Sequence, residues 1–430
     1  MYVFRQLVFR YMRFFARLYL WRTSPKVIAV TGSVGKTSMK DAIACALGAK
    51  YRVAKSPRTY NADLGVPLAV LGLDTGYRSP WRWAINVLLA PIKALTRKKV
   101  DYLVLEMGIG EMGDMDRNLS VARPFMGVLG AVGDTPVHQE FFPSAEAVMR
   151  EKAKVLEATM PEGYVFVYAD DPMLAHATTR VACPVTRFGY ASDAAVRASN
   201  YEITYTHGHM GNVVSGISCR VDMGGESATL HLEGAIGKHH TYPMLAAAAV
   251  ATACGVALPD AARAILSYAP PAGRMRVLQG KSGATLLDDS YNASPIAVYA
   301  AIQAVREMNV IRKILFLGDM LELGSTSVNI HEAIGEEVAH VFDRAIFVGS
   351  FARAYARGAE RGGMQQSRIH IQETSRDTAK NAPSLIQDGD LVLIKGSQGI
   401  RMEFITEALL ANPNDRDKLT RQDWYWRRKN

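Results

Sequence analysis

The sequence has only four cysteines in 430 residues, Cys45, Cys183, Cys219 and Cys254, and no two of them form a C-x-x-C pair. This excludes a disulfide framework and a local zinc-binding motif, and it makes a reducing cytoplasm the expected setting. No uninterrupted run of about 18 apolar residues occurs, so no transmembrane helix is expected. Internal repeats and low-complexity tracts are also lacking. Acidic residues are in deficit: 41 Asp and Glu stand against 50 Lys and Arg, for a net charge of +9. The basic excess gathers in residues 1–26, 78–99 and 421–429. No known nucleic-acid-binding module surrounds those runs, so nucleic acid is not an expected partner. What is present is ordinary globular material, 49% hydrophobic and 21% charged, in a length that calls for two or three domains.

The most informative stretch is Val27 to Ser38. Four strand-favouring residues, Val27–Val30, run into Thr31-Gly32-Ser33-Val34-Gly35-Lys36-Thr37-Ser38, and a helix-compatible run from Met39 to Leu47 follows. Strand, glycine loop and helix is the layout in which backbone N–H groups and a helix N-terminus wrap a polyphosphate. Gly32 and Gly35 let the chain turn and approach the phosphates. Lys36 is expected to reach the β- and γ-phosphates, and the Thr37 hydroxyl to hold Mg²⁺. The full phosphate-loop pattern has a glycine where this chain carries Val30.

The first 21 residues are apolar but broken by Arg5, Arg10, Arg13 and Arg17, which does not read as a signal peptide. As a helix, they place Gln6, Arg10, Arg13 and Arg17 on one face, opposite Tyr, Phe, Leu and Trp. Two readings stand level: a basic interfacial helix lying on an anionic membrane, or a helix packed on the protein's own body with its arginines in solvent. The Trp-rich, basic segment 78–99 reads as a packed insertion, with a membrane-facing helix pair bent at Pro91 as the alternative.

Further along, Tyr102–Glu106 and Met126–Ala131 are expected strands of a mainly parallel sheet. Residues 199–235 alternate in short glycine-split runs, as antiparallel strands do. Pro270-Pro271-Ala272-Gly273 marks a domain boundary and a hinge. Strands then recur at Ala284–Asp288, Lys313–Leu317, Ala345–Val348 and Leu391–Ile394. Glu106 sits at the carboxyl end of a strand, where ligands bind in α/β sheets. Taken singly, Glu106 reads better as an edge carboxylate, His138 as a surface histidine, and Lys152 and Lys154 as a solvated helix face. Gly108-Ile109-Gly110-Glu111-Met112-Gly113 also fits a dinucleotide fingerprint, a weak match in a crevice that the phosphate loop already claims.

Together, the motifs resemble the Mur ligase family of ATP-dependent amide ligases. They are Thr31–Thr37, Asn61-Ala-Asp-Leu-Gly-Val-Pro67, Glu106-Met-Gly108, His138, Lys152, Gly237-Lys-His239, Gly273-Arg-Met275, Asp288-Asp-Ser-Tyr-Asn-Ala293, Gly318-Asp-Met-Leu-Glu-Leu-Gly324 and Lys395-Gly-Ser397. The resemblance implies an α/β fold in three parts. These are an N-terminal basic amphipathic helix (1–26), a P-loop central domain with a mainly parallel sheet (27–269), and a C-terminal Rossmann-like α/β domain (270–430). It implies ATP and two Mg²⁺ ions, with Lys36 and Thr37 on phosphate and the first metal. Glu106, His138 and a carbamylated Lys152 would hold the second metal, with Lys154 as the fallback. Arg274 is assigned to the γ-phosphate, and Asp289 and Asn292 to nucleotide. The implied reaction adds D-alanyl-D-alanine to a UDP-N-acetylmuramoyl-tripeptide through an acyl phosphate, in a monomer acting on small molecules.

Some positions depart from the family pattern. Only 26 residues precede the phosphate-loop strand, where a UDP-binding domain is expected. His240 and Pro243 stand where two asparagines usually contact adenine. Ser294 replaces an asparagine, and Gln398 an arginine for which Arg401 could substitute. Two alternatives therefore remain open: a Mur-like ligase joining another amino acid to a different, even lipid-linked, acceptor at the inner membrane face, and a P-loop ATPase or membrane-binding module.

Overall fold

The computed structural model describes residues 2–56, 64–76, 79–133, 142–208, 211–422 and 426, with only the backbone described for 2–5, 208, 211 and 212. His138 and residues 61–63 lie outside the described residues. Two compact units divide the chain. The first comprises 1–201, 219–231 and 239–268, and the second 202–218, 232–238 and 269–430. The fold is α/β, and the described residues form one sheet of nine strands and one of six.

The nine strands are β1 (Lys26–Thr31), β2 (Val53–Lys55), β3 (Tyr102–Glu106), β4 (Met126–Leu129), β5 (Tyr164–Tyr168), β6 (Val185–Gly189), β7 (Val196–Gly208), β8 (Gly211–Met223) and β9 (Glu226–Glu233). Their order is β2-β3-β1-β4-β5-β6-β7-β8-β9, and every pairing from β2 to β7 is parallel. β1, β3 and β4 are buried on both faces, which accounts for their unbroken apolar sequences. β8 and β9 are joined by a two-residue turn, which only antiparallel neighbours allow. Between β8 and β9 the turn is Gly224-Gly225, both at positive φ (58° and 85°), as a primed hairpin turn requires.

The first unit's helices are α1 (Tyr2–Thr23), α2 (Lys36–Leu47), α3 (Gly65–Leu71), α4 (Pro80–Thr96), α5 (Asp114–Leu119), α6 (Ala145–Glu157), α7 (Thr241–Ala253) and α8 (Leu258–Ile265). α7 is alanine-rich and buried nearly throughout, packing on α2 and α8. Within segment 78–99, Pro80–Thr96 form the single helix α4, with Pro91 inside it, in place of a bent pair. Packing α1 against α3 and α4 buries Phe9, Met12, Ala16 and Tyr19, one face at helical spacing.

The second unit carries β10 (Arg276–Gln279), β11 (Thr285–Asp289), β12 (Arg312–Gly318), β13 (Arg344–Val348), β14 (Ile369–Gln372) and β15 (Asp390–Lys395). Their order is β10-β11-β15-β12-β13-β14, parallel except for the antiparallel edge strand β10. Helices α9 (Pro295–Arg306), α10 (Ser327–Ala339), α11 (Ala352–Arg361), α12 (Ser375–Asn381) and α13 (Glu403–Leu409) accompany it. Ile314, Phe316, Ile346, Val392 and Ile394 centre its core.

Candidate active site

In the first unit, β1 lies between β3 and β4, so the loop after it emerges at the carboxyl edge of the sheet. Two glycines shape that loop for different reasons. Gly35 precedes α2 at φ 77° with open space around it, so conformation alone demands glycine. Gly32, at φ 147°, also runs against the backbone of Gly130 and Ala131, where a Cβ would sit 3.2 Å from heavy atoms. The Ser33 N–H donates to the Ala131 carbonyl (2.7 Å), which ties the loop to the end of β4. α2 begins at Lys36, and the first N–H groups of a helix have no intrahelical acceptor, the usual basis for anion binding there.

Four predicted side chains converge on this loop. Lys36 curls over it and donates to the Gly32 and Ser33 carbonyls (3.0 and 3.2 Å). Lys152, on α6, donates to the same Gly32 carbonyl (3.0 Å) although it lies 120 residues away. The Thr37 hydroxyl donates to Glu106 Oε2 at 2.9 Å. Glu106 ends β3 and is buried, and its Oε1 has no hydrogen-bond partner among the described residues; neither has the buried Ser33 Oγ.

Electrostatics separates the two lysines of α6. Lys152 is buried, and desolvation together with the nearby Lys36 charge pushes its pKa well below the ordinary lysine value. Its amine is thereby biased toward the neutral, nucleophilic form. Lys154 turns the other way, to Asp116 (2.6 Å) and Glu151 (2.7 Å), and these partners hold its pKa up. It does not reach the phosphate loop.

A buried carboxylate with an unpartnered oxygen, touching a threonine hydroxyl, is a donor set suited to a hard divalent cation. Thr37 and Glu106 therefore fit Mg²⁺. The dinucleotide alternative for residues 108–113 fails on geometry. Asp114 Oδ2 already accepts the Gly110 and Glu111 N–H groups (2.6 and 2.8 Å), and Glu151 Oε1 accepts that of Gly113 (2.9 Å).

The second unit holds the remaining predicted residues at the ends of β11 and β15. Asp289 Oδ2 pairs with Lys395 Nζ at 2.5 Å, and its Oδ1 accepts the Met275 N–H. Lys395 also donates to the Asn292 carbonyl (3.1 Å). Asn292 is exposed, Arg274 stacks over the Tyr291 ring (4.6 Å), and Arg401 pairs with Glu403 (2.5 Å). Ser294 caps α9, its Oγ accepting from the Ala297 N–H, and Gln398 donates its backbone N–H to Asn292 Oδ1 (3.4 Å). Asp319, from the Gly318–Gly324 motif, accepts the Ser350 N–H (2.7 Å) and the Phe351 N–H (3.0 Å) ahead of α11, a structural use of that motif.

Sequence reasoning missed three carboxylates. Glu151 and Asp171 brace loops, Asp171 Oδ2 accepting the Val132 and Gly133 N–H groups (2.7 and 2.9 Å). Asp288 is fully buried beside Asp289, and its pKa is raised to about 6, chiefly by desolvation. Asp171 had a signal, since it follows the carboxyl end of β5; Glu151 had none.

Residues 30–251 match the Mur ligase middle domain, and residues 273–398 the Mur ligase glutamate ligase domain. The chain belongs to the Mur ligase family. As a Mur ligase it is an ATP-dependent enzyme that forms a C–N bond. It is 27% identical to the UDP-N-acetylmuramoyl-tripeptide–D-alanyl-D-alanine ligase of Bacillus subtilis, over 93% of this chain and 79% of that one. It is 28% identical to the ligase of the same name from Mycobacterium tuberculosis, over 90% of this chain and 73% of that one. The crystal structure of MurF ligase from Thermotoga maritima in complex with ADP superposes with a TM-score of 0.73 at 25% identity, covering 93% of this chain and 83% of that one.

Proposed function

We propose that this Mur ligase joins D-alanyl-D-alanine to a UDP-N-acetylmuramoyl-tripeptide at the expense of ATP, acting as a monomer on small molecules. The observation that carries the reading is the convergence of Lys36, Lys152, Thr37 and Glu106 on one glycine loop. Similarity to ligases of that name over most of the chain supports the choice of substrates.

The tripeptide carboxylate attacks the γ-phosphorus of ATP, the bond to the bridging oxygen breaks, and ADP leaves. The amine of D-alanyl-D-alanine then attacks the acyl carbon. A C–N bond forms, the C–O bond to phosphate breaks, and the amine gives up its proton. The first step brings two anions together, so its barrier is largely electrostatic. Residues Thr31 to Ser38 wrap the phosphates, and Lys36 leaves the loop carbonyls to neutralise charge on the transferring group. Mg²⁺ would supply further charge screening: Thr37 and Glu106 would hold one ion, and Glu106 with His138 and Lys152 a second. Lys152 serves there as a carbamate. Its neutral amine adds to CO₂, forming an N–C bond and releasing a proton, so that a cation becomes an anion. Arg274 is assigned to the γ-phosphate, and Asp289 and Asn292 to the nucleotide.

Phosphate release with ATP and Mg²⁺ tests the reading. Release should require a UDP-linked muramoyl tripeptide and D-alanyl-D-alanine together. Release with another acceptor–amine pair would keep the ligase and replace its substrates, and steady release without an acceptor would replace ligation by simple hydrolysis.

A further inference from the structure

α1 and α4 bury one face each and expose another that carries large apolar side chains. On α1, Leu7, Phe14 and Trp21 recur every seven residues, on one side of the helix, and are 59–79% exposed. On α4, Trp81, Leu88 and Leu95 repeat the same spacing at 60–75% exposure, while Asn86, Ala90 and Ala94 face the body. Helices of a globular protein normally turn a polar face to water.

The two helices are fastened side by side. Pro91 has no N–H to give the Val87 carbonyl, and the Tyr11 hydroxyl of α1 donates to that carbonyl instead (3.1 Å). Arg22 caps the far end of α4 by donating to the Ala94 and Arg97 carbonyls (3.1 and 2.6 Å). On the helical wheel, Tyr11 and Arg22 border the exposed stripe of α1, so the two apolar faces adjoin.

The border of this platform carries charge of one sign. Arg10 and Arg17 lie beside Phe14 on α1, Arg82 opens α4, and Lys98 and Lys99 follow it, all exposed. Neither helix contains an aspartate or glutamate. Among the described residues, no helix is long and apolar enough to cross a membrane.

We propose that the α1–α4 platform docks on the surface of an anionic lipid bilayer, with the apolar stripes in the acyl boundary and the basic border on headgroup phosphates. Paired apolar and cationic contributions are what reversible interfacial binding needs. A second copy of the chain is the poorer occupant, because it would bring arginine against arginine with no carboxylate between. The inference stands apart from the substrate assignment, since it concerns where the enzyme works and not what it joins.

Flotation of the full chain with vesicles tests it. The chain should float with phosphatidylcholine containing about one quarter phosphatidylglycerol, and Trp emission should shift to the blue. With phosphatidylcholine alone, binding should be far weaker. Arg10→Ser with Arg17→Ser should lower partitioning about 30-fold, at roughly 1 kcal/mol per arginine. Leu88→Gln with Ile92→Gln, Ile92 lying one turn on from Leu88 and also exposed, should bring it to background. Both variants should keep their melting temperature and their solution turnover, which separates loss of docking from loss of the ligase. The proposal fails if the chain stays down with anionic vesicles, or if neither pair of substitutions changes flotation. A concentration-dependent dimer that Leu88→Gln with Ile92→Gln disperses, without flotation, would make the platform a contact between copies.

Discussion

The phosphate loop of the first unit and the β11–β15 edge of the second both gather buried charge, yet they treat it differently. Around Gly32, Lys36 and Lys152 share one carbonyl, and the buried Glu106 keeps an oxygen without a partner among the described residues. At the β11–β15 edge, Asp289 and Lys395 close on each other, and both carboxylate oxygens of Asp289 are taken. Buried polar groups left without partners are costly, so a fold keeps them where something else completes them. The difference suits the loop to a ligand and the Asp289–Lys395 pair to its own unit, while the neighbouring Asp288 keeps a buried oxygen, Oδ2, without a partner among the described residues.

Substituting one member from each side breaks the comparison. Lys152→Ala should lower turnover about 1,000-fold or more, in the upper range for losing one preorganised charged group, with partial rescue by short carboxylates. Its melting temperature should hold or rise, because a buried, poorly compensated amine is removed. An unchanged rate would remove Lys152 from the metal site. Lys395→Met should act in the opposite sense and destabilise the protein by about 3–5 kcal/mol, the usual result of stranding a buried carboxylate. Urea unfolding measures it, and a loss below about 1 kcal/mol would show that the pair is not structural.

Asp288 sharpens the contrast through pH. Its folded pKa of about 6 lies above the ordinary value of 3.8, so the folded state holds the proton more tightly. The stability this group gives is complete below pH 3.8 and is lost as pH rises through about 6. Asp288→Asn should therefore stabilise at pH 8, by about 3 kcal/mol for roughly two pKa units, and should add almost nothing near pH 4. Equal melting shifts at both pH values would refute the assignment. Glu106→Gln is the smallest step. Turnover should fall about 100-fold, and the thermal shift produced by Mg²⁺ should disappear, with little change in stability without Mg²⁺. A retained Mg²⁺ shift would place the ion elsewhere.

Much of the fold was legible because its strands are buried on both faces and read as unbroken apolar runs between glycine turns. Val27–Val30, Tyr102–Glu106 and Leu391–Ile394 all lie within observed strands. β2 was not legible: at three residues it is too short to show a period. The phosphate loop could be read because its chemistry is local, with glycines, lysine and threonine packed into seven consecutive residues. The choice between Lys152 and Lys154 was not local. Both sit on one helix two residues apart, and a rotation of about 200° sends one to Gly32 and the other to Asp116.

By itself, then, the sequence determined the class of fold, the phosphate loop, and which residue types suit nucleotide and metal, since each depends on short-range patterning. Tertiary structure alone decided which charges are left incomplete, because burial and partners 69 or 120 residues away cannot be read from spacing. It also decided the packing reading of the first helix, whose buried face meets α3 and α4. One face of α1 packs on the body, and the other stays apolar in solvent, which no periodicity of a single helix could reveal without α4 beside it.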